Sequence, residues 1–213
     1  MLGKLFLKRR KKIPLFRLDL GLCLLEAAKV GNDAAVISVL ELSPSLRRTD
    51  AKRRQAIHYA AQNGLTQSVE CLLRAGATVS CSDDCDWTPL HITCQHGYLE
   101  VARILLRQGA NANSARTQDR ITPLHIVSAS GNLALVELLL NNRGNPNTKT
   151  SQEHGGFTAL ALAVKNGLLD VAIMLCEHGA NIDEIDAEGR FLPHLALDSG
   201  QPAMLNFLCR QNI

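Results

Sequence analysis

Five residues able to bind a soft metal ion or supply a nucleophile crowd one stretch of this 213-residue sequence: Cys81, Cys85, His91, Cys94 and His96 fall within sixteen positions. Thiolates and imidazoles gathered tetrahedrally would suit zinc, and Cys94 with His91 three positions away would suit a thiol activated by a base. Neither chemistry is completed. No Cys-x-x-Cys pair nucleates a zinc knuckle, and no third side chain orients His91. The sequence also lacks a phosphate-cradling glycine loop, a Gly-x-Ser-x-Gly and a His-Glu-x-x-His. The expectation is a chain with no catalytic residues, no metal and no cofactor.

The elements that carry these residues explain why they do not converge. Gln55-Ala-Ile-His-Tyr-Ala-Ala-Gln-Asn-Gly64, Thr88-Pro-Leu-His-Ile-Thr-Cys-Gln-His-Gly97 and Thr122-Pro-Leu-His-Ile-Val-Ser-Ala-Ser-Gly131 share one pattern, and Thr158 to Gly167 keeps its Thr, Leu and Gly. Weaker copies at Leu25–Gly31 and Phe191–Gly200 bracket them. Taking Leu25, His58, His91, His125, Ala161 and His194 as markers, the steps are 33, 33, 34, 36 and 33 residues. Each unit starts a helix with a Thr cap and Pro in the first turn, ends it at Gly, and continues with a second helix such as the one carrying Val101, Ala102, Ile104, Leu105 and Leu106. Neither helix hides its apolar face alone, so the units must stack. Cys81 and Cys85 then fall in a loop, whereas His91 and Cys94 fall on the following helix.

With its Thr-Pro-Leu-His turns and its Gly-Ala-Asn closing turns, as in Gly109-Ala-Asn-Ala-Asn113 and Gly179-Ala-Asn-Ile-Asp183, the sequence resembles the ankyrin repeat family over roughly residues 22 to 213. The resemblance implies an all-α solenoid of stacked helix-turn-helix units with β-hairpin-like finger loops. A basic N-terminal segment, 1–21, would precede units at about 22–49, 50–82, 83–116, 117–152, 153–185 and 186–213. It also implies that His58, His91, His125 and His194 are structural, each tying its unit to a neighbour. Ala161 should leave the fifth unit less tightly fastened, and the shifted Pro of Phe191-Leu-Pro-His194 marks a degenerate capping unit. The 36-residue step places a longer, mobile finger at Asn147–Gly156.

Composition agrees with this frame and narrows the setting. Aromatic residues make up only 4% of the chain, so Leu, Ala, Ile and Val must build the core. No apolar run approaches the roughly 18 residues of a membrane span, and seven cysteines with no pairing signature suit a reducing compartment. Residues 1 to 54 hold 13 Lys/Arg against 5 Asp/Glu, whereas the remainder holds 10 against 15. The run Lys8, Arg9, Arg10, Lys11 and Lys12 reads as a nuclear-import candidate, with contact to anionic lipid as its rival. The expected location is cytoplasmic, nuclear or both.

Function is expected to be non-catalytic: an adaptor, monomeric by itself, that binds another protein and neither nucleic acid nor the membrane interior. The resemblance places the groove-facing residues just before each Thr-Pro-Leu-His turn and just before the helix-ending Gly. The first set is Arg54, Trp87, Ile121, Phe157 and Arg190, an apolar centre between two arginines; the second contributes Gln95, His96, Lys165 and Asn166. The alternative is a substrate-recognition subunit of an elongin/cullin ubiquitin ligase, because Leu205, Cys209 and Ile213 match the spacing of an elongin-binding box. The same resemblance raises Asn113 and Asn147 as asparaginyl-hydroxylation candidates, although the acidic residue usual two positions earlier is Asn111 or Asn145.

Overall fold

A computed structural model describes residues 19–211. Its helices follow in six pairs: α1 (Leu20–Val30) with α2 (Asp33–Leu40), α3 (Ala56–Gln62) with α4 (Thr66–Arg74), α5 (Pro89–His96) with α6 (Leu99–Arg107), α7 (Pro123–Ser130) with α8 (Leu133–Asn141), α9 (Ala159–Lys165) with α10 (Leu169–Glu177), and α11 (Leu192–Asp198) with α12 (Pro202–Gln211). Helices this short are marginal in isolation, so packing must hold them. Local chemistry sets their ends. Thr88 and Thr122 cap α5 and α7, Pro follows each cap, and Gly97 and Gly131 close the two helices at φ of +80° and +78°, a left-handed geometry that strains a side-chain-bearing residue.

One apolar core runs the length of the stack, from Leu24 through Ile57, Leu90, Leu105, Leu139, Leu160 and Leu175 to Leu208. On α6 the helical period puts Val101, Ala102 and Leu105 inside, while the guanidinium of Arg107 stands in water. First helices of successive pairs lie closer together than second helices do, so the stack curves towards the first-helix side. No helix among the described residues is long and apolar enough to cross a membrane.

Between the pairs, each finger is a tight turn closed by paired backbone bonds, as Asp83 N–H to the Trp87 carbonyl (3.1 Å) with Asp86 N–H to the Asp83 carbonyl (3.2 Å), or Arg116 N–H to the Ile121 carbonyl (3.1 Å) with Arg120 N–H to the Arg116 carbonyl (2.9 Å). Among the described residues, the isolated strand-type pairing is a single antiparallel bridge from Ile185 to Phe191. The long finger departs from the expectation of mobility. Its extra residues form a 3-10 turn, Gln152–His154, fastened on both sides: Ser151 N–H donates to the Asp119 carbonyl (2.8 Å) and Ala187 N–H to the Gly155 carbonyl (2.9 Å). Added residues brought added backbone donors and acceptors, and the neighbouring fingers satisfy them.

Candidate protein-binding groove

Two imidazoles stitch the fingers to the helices behind them. His91 Nδ1 accepts from the Thr88 N–H (3.4 Å), which leaves Nε2–H to donate to the Ile121 carbonyl one unit on (3.3 Å). His125 repeats the arrangement, with Thr122 N–H on Nδ1 (3.1 Å) and the Thr148 and Phe157 carbonyls at 3.0 and 3.1 Å from Nε2. The other two depart from the expected tie. Among the described residues, His58 Nδ1 accepts from Gln55 N–H (3.0 Å) but its buried Nε2 finds no partner, and His194, in the last unit, is exposed and bonds Phe191 N–H alone (3.2 Å). Where Ala161 replaces the imidazole, a narrow crevice opens between Thr158, Asp186, Leu192 and Leu195.

The cysteines and histidines weighed as ligands are scattered by this scaffold. Burial pushes the Cys81 thiol up to about 12 and raises that of the fully buried Cys94 as well, so neither supplies a thiolate at neutral pH. His91 is committed to Thr88 and Ile121. Asp83, Asp84 and Cys85 do lie within 4.8 Å of one another, but Asp83 already accepts from Cys85 N–H (2.9 Å), Trp87 N–H (2.9 Å) and the Arg54 guanidinium (3.2 Å).

Four of the nine residues expected to face a partner converge. Arg54, Trp87, Gln95 and His96 line one depression on the first-helix side, together with Gln62 and Ile92. Trp87 is half-buried, with the Arg116 guanidinium 4.9 Å from its ring centroid on one side and the His91 ring edge-on at 5.9 Å. Ile121 and Phe157 are also half-buried, and Lys165 Nζ lies 4.8 Å from the Phe157 ring. The arrangement is therefore aromatic faces held under cations rather than a bare apolar strip. Both flanking arginines are occupied: Arg54 by Asp83 and Gln62, Arg190 by Asp186 (2.8 Å), Glu188 and Asp198. Asn166 spends its amide on the Ala129 carbonyl (2.9 Å), as Asn63 does on Ala28 (2.8 Å), and so binds unit to unit.

Gln62 and Ile92 are the lining residues that spacing missed, and Arg116, over the Trp87 ring, was missed beside them. Arg116 had a signal, since it occupies the finger position held by Asp50, Asp83 and Asp186 elsewhere. On the far side of the stack, Asn113 bridges the Arg143 carbonyl (2.8 Å) and Asn145 N–H (2.7 Å), and Asn147 bridges the Gly179 carbonyl (3.0 Å) and Asn181 N–H (2.8 Å). Both side-chain amides raised as hydroxylation candidates thus hold successive units together. On α12, Met204 and Leu208 carry the packing, Leu205 is half-buried and Cys209 is exposed. Ile213 and Lys8 to Lys12 lie outside the described residues.

A family model described as ankyrin repeats (3 copies) matches residues 24–116 and again 124–213. The chain belongs to the ankyrin repeat family. Its relatives are spread widely in size and source. Mouse protein phosphatase 1 regulatory subunit 27 is 40% identical over 60 residues, 28% of this chain and 39% of that protein. The ankyrin repeat protein nuc-2 of Neurospora crassa is 28% identical over 190 residues, 89% of this chain but 14% of its own length. A probable E3 ubiquitin-protein ligase of rice, XBOS33, is 36% identical over 94 residues, 43% of this chain and 18% of that protein. The matched part covers less than half of each relative. As an ankyrin repeat stack, the chain is a protein-interaction fold, and its curved first-helix side is the surface on which the depression around Trp87 lies.

Proposed function

We propose that this ankyrin chain is a monomeric, non-catalytic adaptor of the cytosol or nucleus that holds a segment of a partner protein in the groove centred on Trp87. The observation that carries the reading is the convergence of Arg54, Gln62, Trp87, Ile92, Gln95 and His96 on one depression from two successive first helices and the two fingers that precede them. An aromatic wall with polar amides around it matches the composition of well-used interface centres. Arg54→Ala is a poor probe because it strands the buried Asp83 carboxylate. Trp87→Ala is the better one: it is expected to weaken partner capture by roughly 2 kcal/mol or more with helical circular dichroism unchanged. Quantitative mass spectrometry of proteins retained by the wild-type chain, by Trp87→Ala and by Arg107→Ala on the outer helix checks this. Equal retention by all three moves the interface away from the groove.

The exposed Cys209 and the printed name of the rice relative support a second reading, a substrate receptor of an elongin/cullin ligase. Elongins that co-purify with the full chain and are lost on Cys209→Arg would establish it. Their absence rejects it.

A further inference from the structure

Three neighbouring fingers present a charged residue at the same left-handed tip position: Arg53 at φ +59°, Asp86 at +61° and Arg120 at +57°. The corresponding tips of the last two fingers are glycines, Gly156 at +60° and Gly189 at +75°. Glycine, asparagine or aspartate suits this backbone region, and arginine does not. Arg53 and Arg120 nevertheless occupy it, both exposed, and among the described residues neither forms an ion pair or a side-chain hydrogen bond. A local rule is broken twice with no close ion pair or side-chain hydrogen bond among the described residues in return, the long-range pull of Arg53 on Asp86 aside, which is the pattern of a residue kept for something outside the chain.

The three tips form one rigid edge. Asp84 N–H donates to the Lys52 carbonyl (3.0 Å), Thr117 N–H to Asp86 Oδ2 (3.2 Å), and Arg116 Nε to the Cys85 carbonyl (3.2 Å). Successive units stack at about 10 Å, the usual separation of packed helices, and an extended peptide advances about 3.3 Å per residue. One unit therefore corresponds to about three residues of a bound strand. The signs along the edge are plus, minus, plus, and the edge borders the depression through Arg54 and Trp87, which directly follow and lie beside these tips.

We propose that the finger edge reads an extended segment of a partner protein carrying acidic, basic and acidic residues spaced about three apart, laid over Arg53, Asp86 and Arg120. The inference rests on the groove reading for the position of that segment, since it places an apolar side chain of the same strand at Trp87. Alternating sign is what selects a peptide: a nucleic acid or an anionic bilayer presents uniform negative charge, which Asp84 and Asp86 oppose.

The test is selection of a phage-displayed library of random peptides about a dozen residues long on the full chain, and in parallel on the charge-swapped variant Arg53→Asp/Asp86→Arg/Arg120→Asp. Each tip then carries a residue type already found at that position in a neighbouring finger; Asp86→Arg gives up the bond from Thr117 N–H, so circular dichroism and a thermal melt check that the swapped chain keeps its fold. The wild-type chain is expected to enrich the acid, base, acid pattern and the swapped chain its inverse, each set binding its own chain about tenfold or more tighter than the other. Peptides without the pattern, uniformly acidic peptides, equal binding to both chains, or no enrichment overturn the proposal. Trp87→Ala separates the two readings. Peptides sensitive to Trp87→Ala but indifferent to the swap leave the groove standing and remove the charge pattern, and the converse removes the groove.

Discussion

Buried imidazoles make the stability of this protein depend on acid. Burial holds His91 down at about 4, below its ordinary 6.5, and lowers His125 and His58 for the same reason. The unfolded chain therefore binds more protons than the folded one between pH 6.5 and about 4. The stability His91 provides is complete above 6.5, declines as pH falls through that window, and amounts to roughly 3 kcal/mol when fully lost. Urea titrations at stepped pH should show this decline, and His91→Gln, which can still accept from Thr88 and donate to Ile121, should flatten it. An unchanged slope would assign the effect to other groups. The histidines were legible as structural residues from their place in the Thr-Pro-Leu-His turns. Which of them complete the tie was not legible, because the carbonyl they need lies on the following finger, some thirty residues away.

At the scale of the element, the caps and the 33-residue period carried most of the information: Thr, Pro and Gly fix helix ends locally, and their positions are in the sequence. The long finger was misread as mobile because its order comes from two neighbours, Asp119 and Ala187, and not from its own composition. The same finger compensates for the missing imidazole. Unit five, with Ala161, is fastened to unit six through Ala187 N–H on the Gly155 carbonyl, and to unit four through Lys149 to Glu184 and the Ile185 carbonyl and through Asn147 to Gly179 and Asn181. Ala161→His should restore the imidazole that the other units carry and bring it within reach of the Arg190 carbonyl, raising stability by roughly 0.5 to 1 kcal/mol. Deletion of Gln152–His154 should lower it by a comparable amount, about 1 kcal/mol, through the lost backbone bonds. Thermal melts of both variants check the pair. A deletion with no effect would mean that the stitching contributes nothing.

Across the whole molecule, stability is a sum of unit terms and neighbour terms, so position in the stack decides what a cavity costs. Leu105 and Leu208 are both fully buried, but Leu105 has units on either side and Leu208 belongs to the last. Leu105→Ala should cost roughly 2 to 5 kcal/mol, and Leu208→Ala clearly less because the final pair frays alone. Denaturant titration with hydrogen exchange separates them, and equal costs would contradict a stack with independent ends. The groove was half legible at this scale. Repeat register located Trp87, Gln95 and His96, but no register shows that Arg54, Arg190 and Asn166 are already occupied by neighbours. One consequence is optical. Trp87 is the single tryptophan of the chain, and it stands in the groove wall between a guanidinium and an imidazole edge. Its emission is thus a built-in reporter of the groove: a ligand that dries the indole should shift the spectrum to the blue, and one bound elsewhere should leave it unmoved, so occupancy is readable without any label.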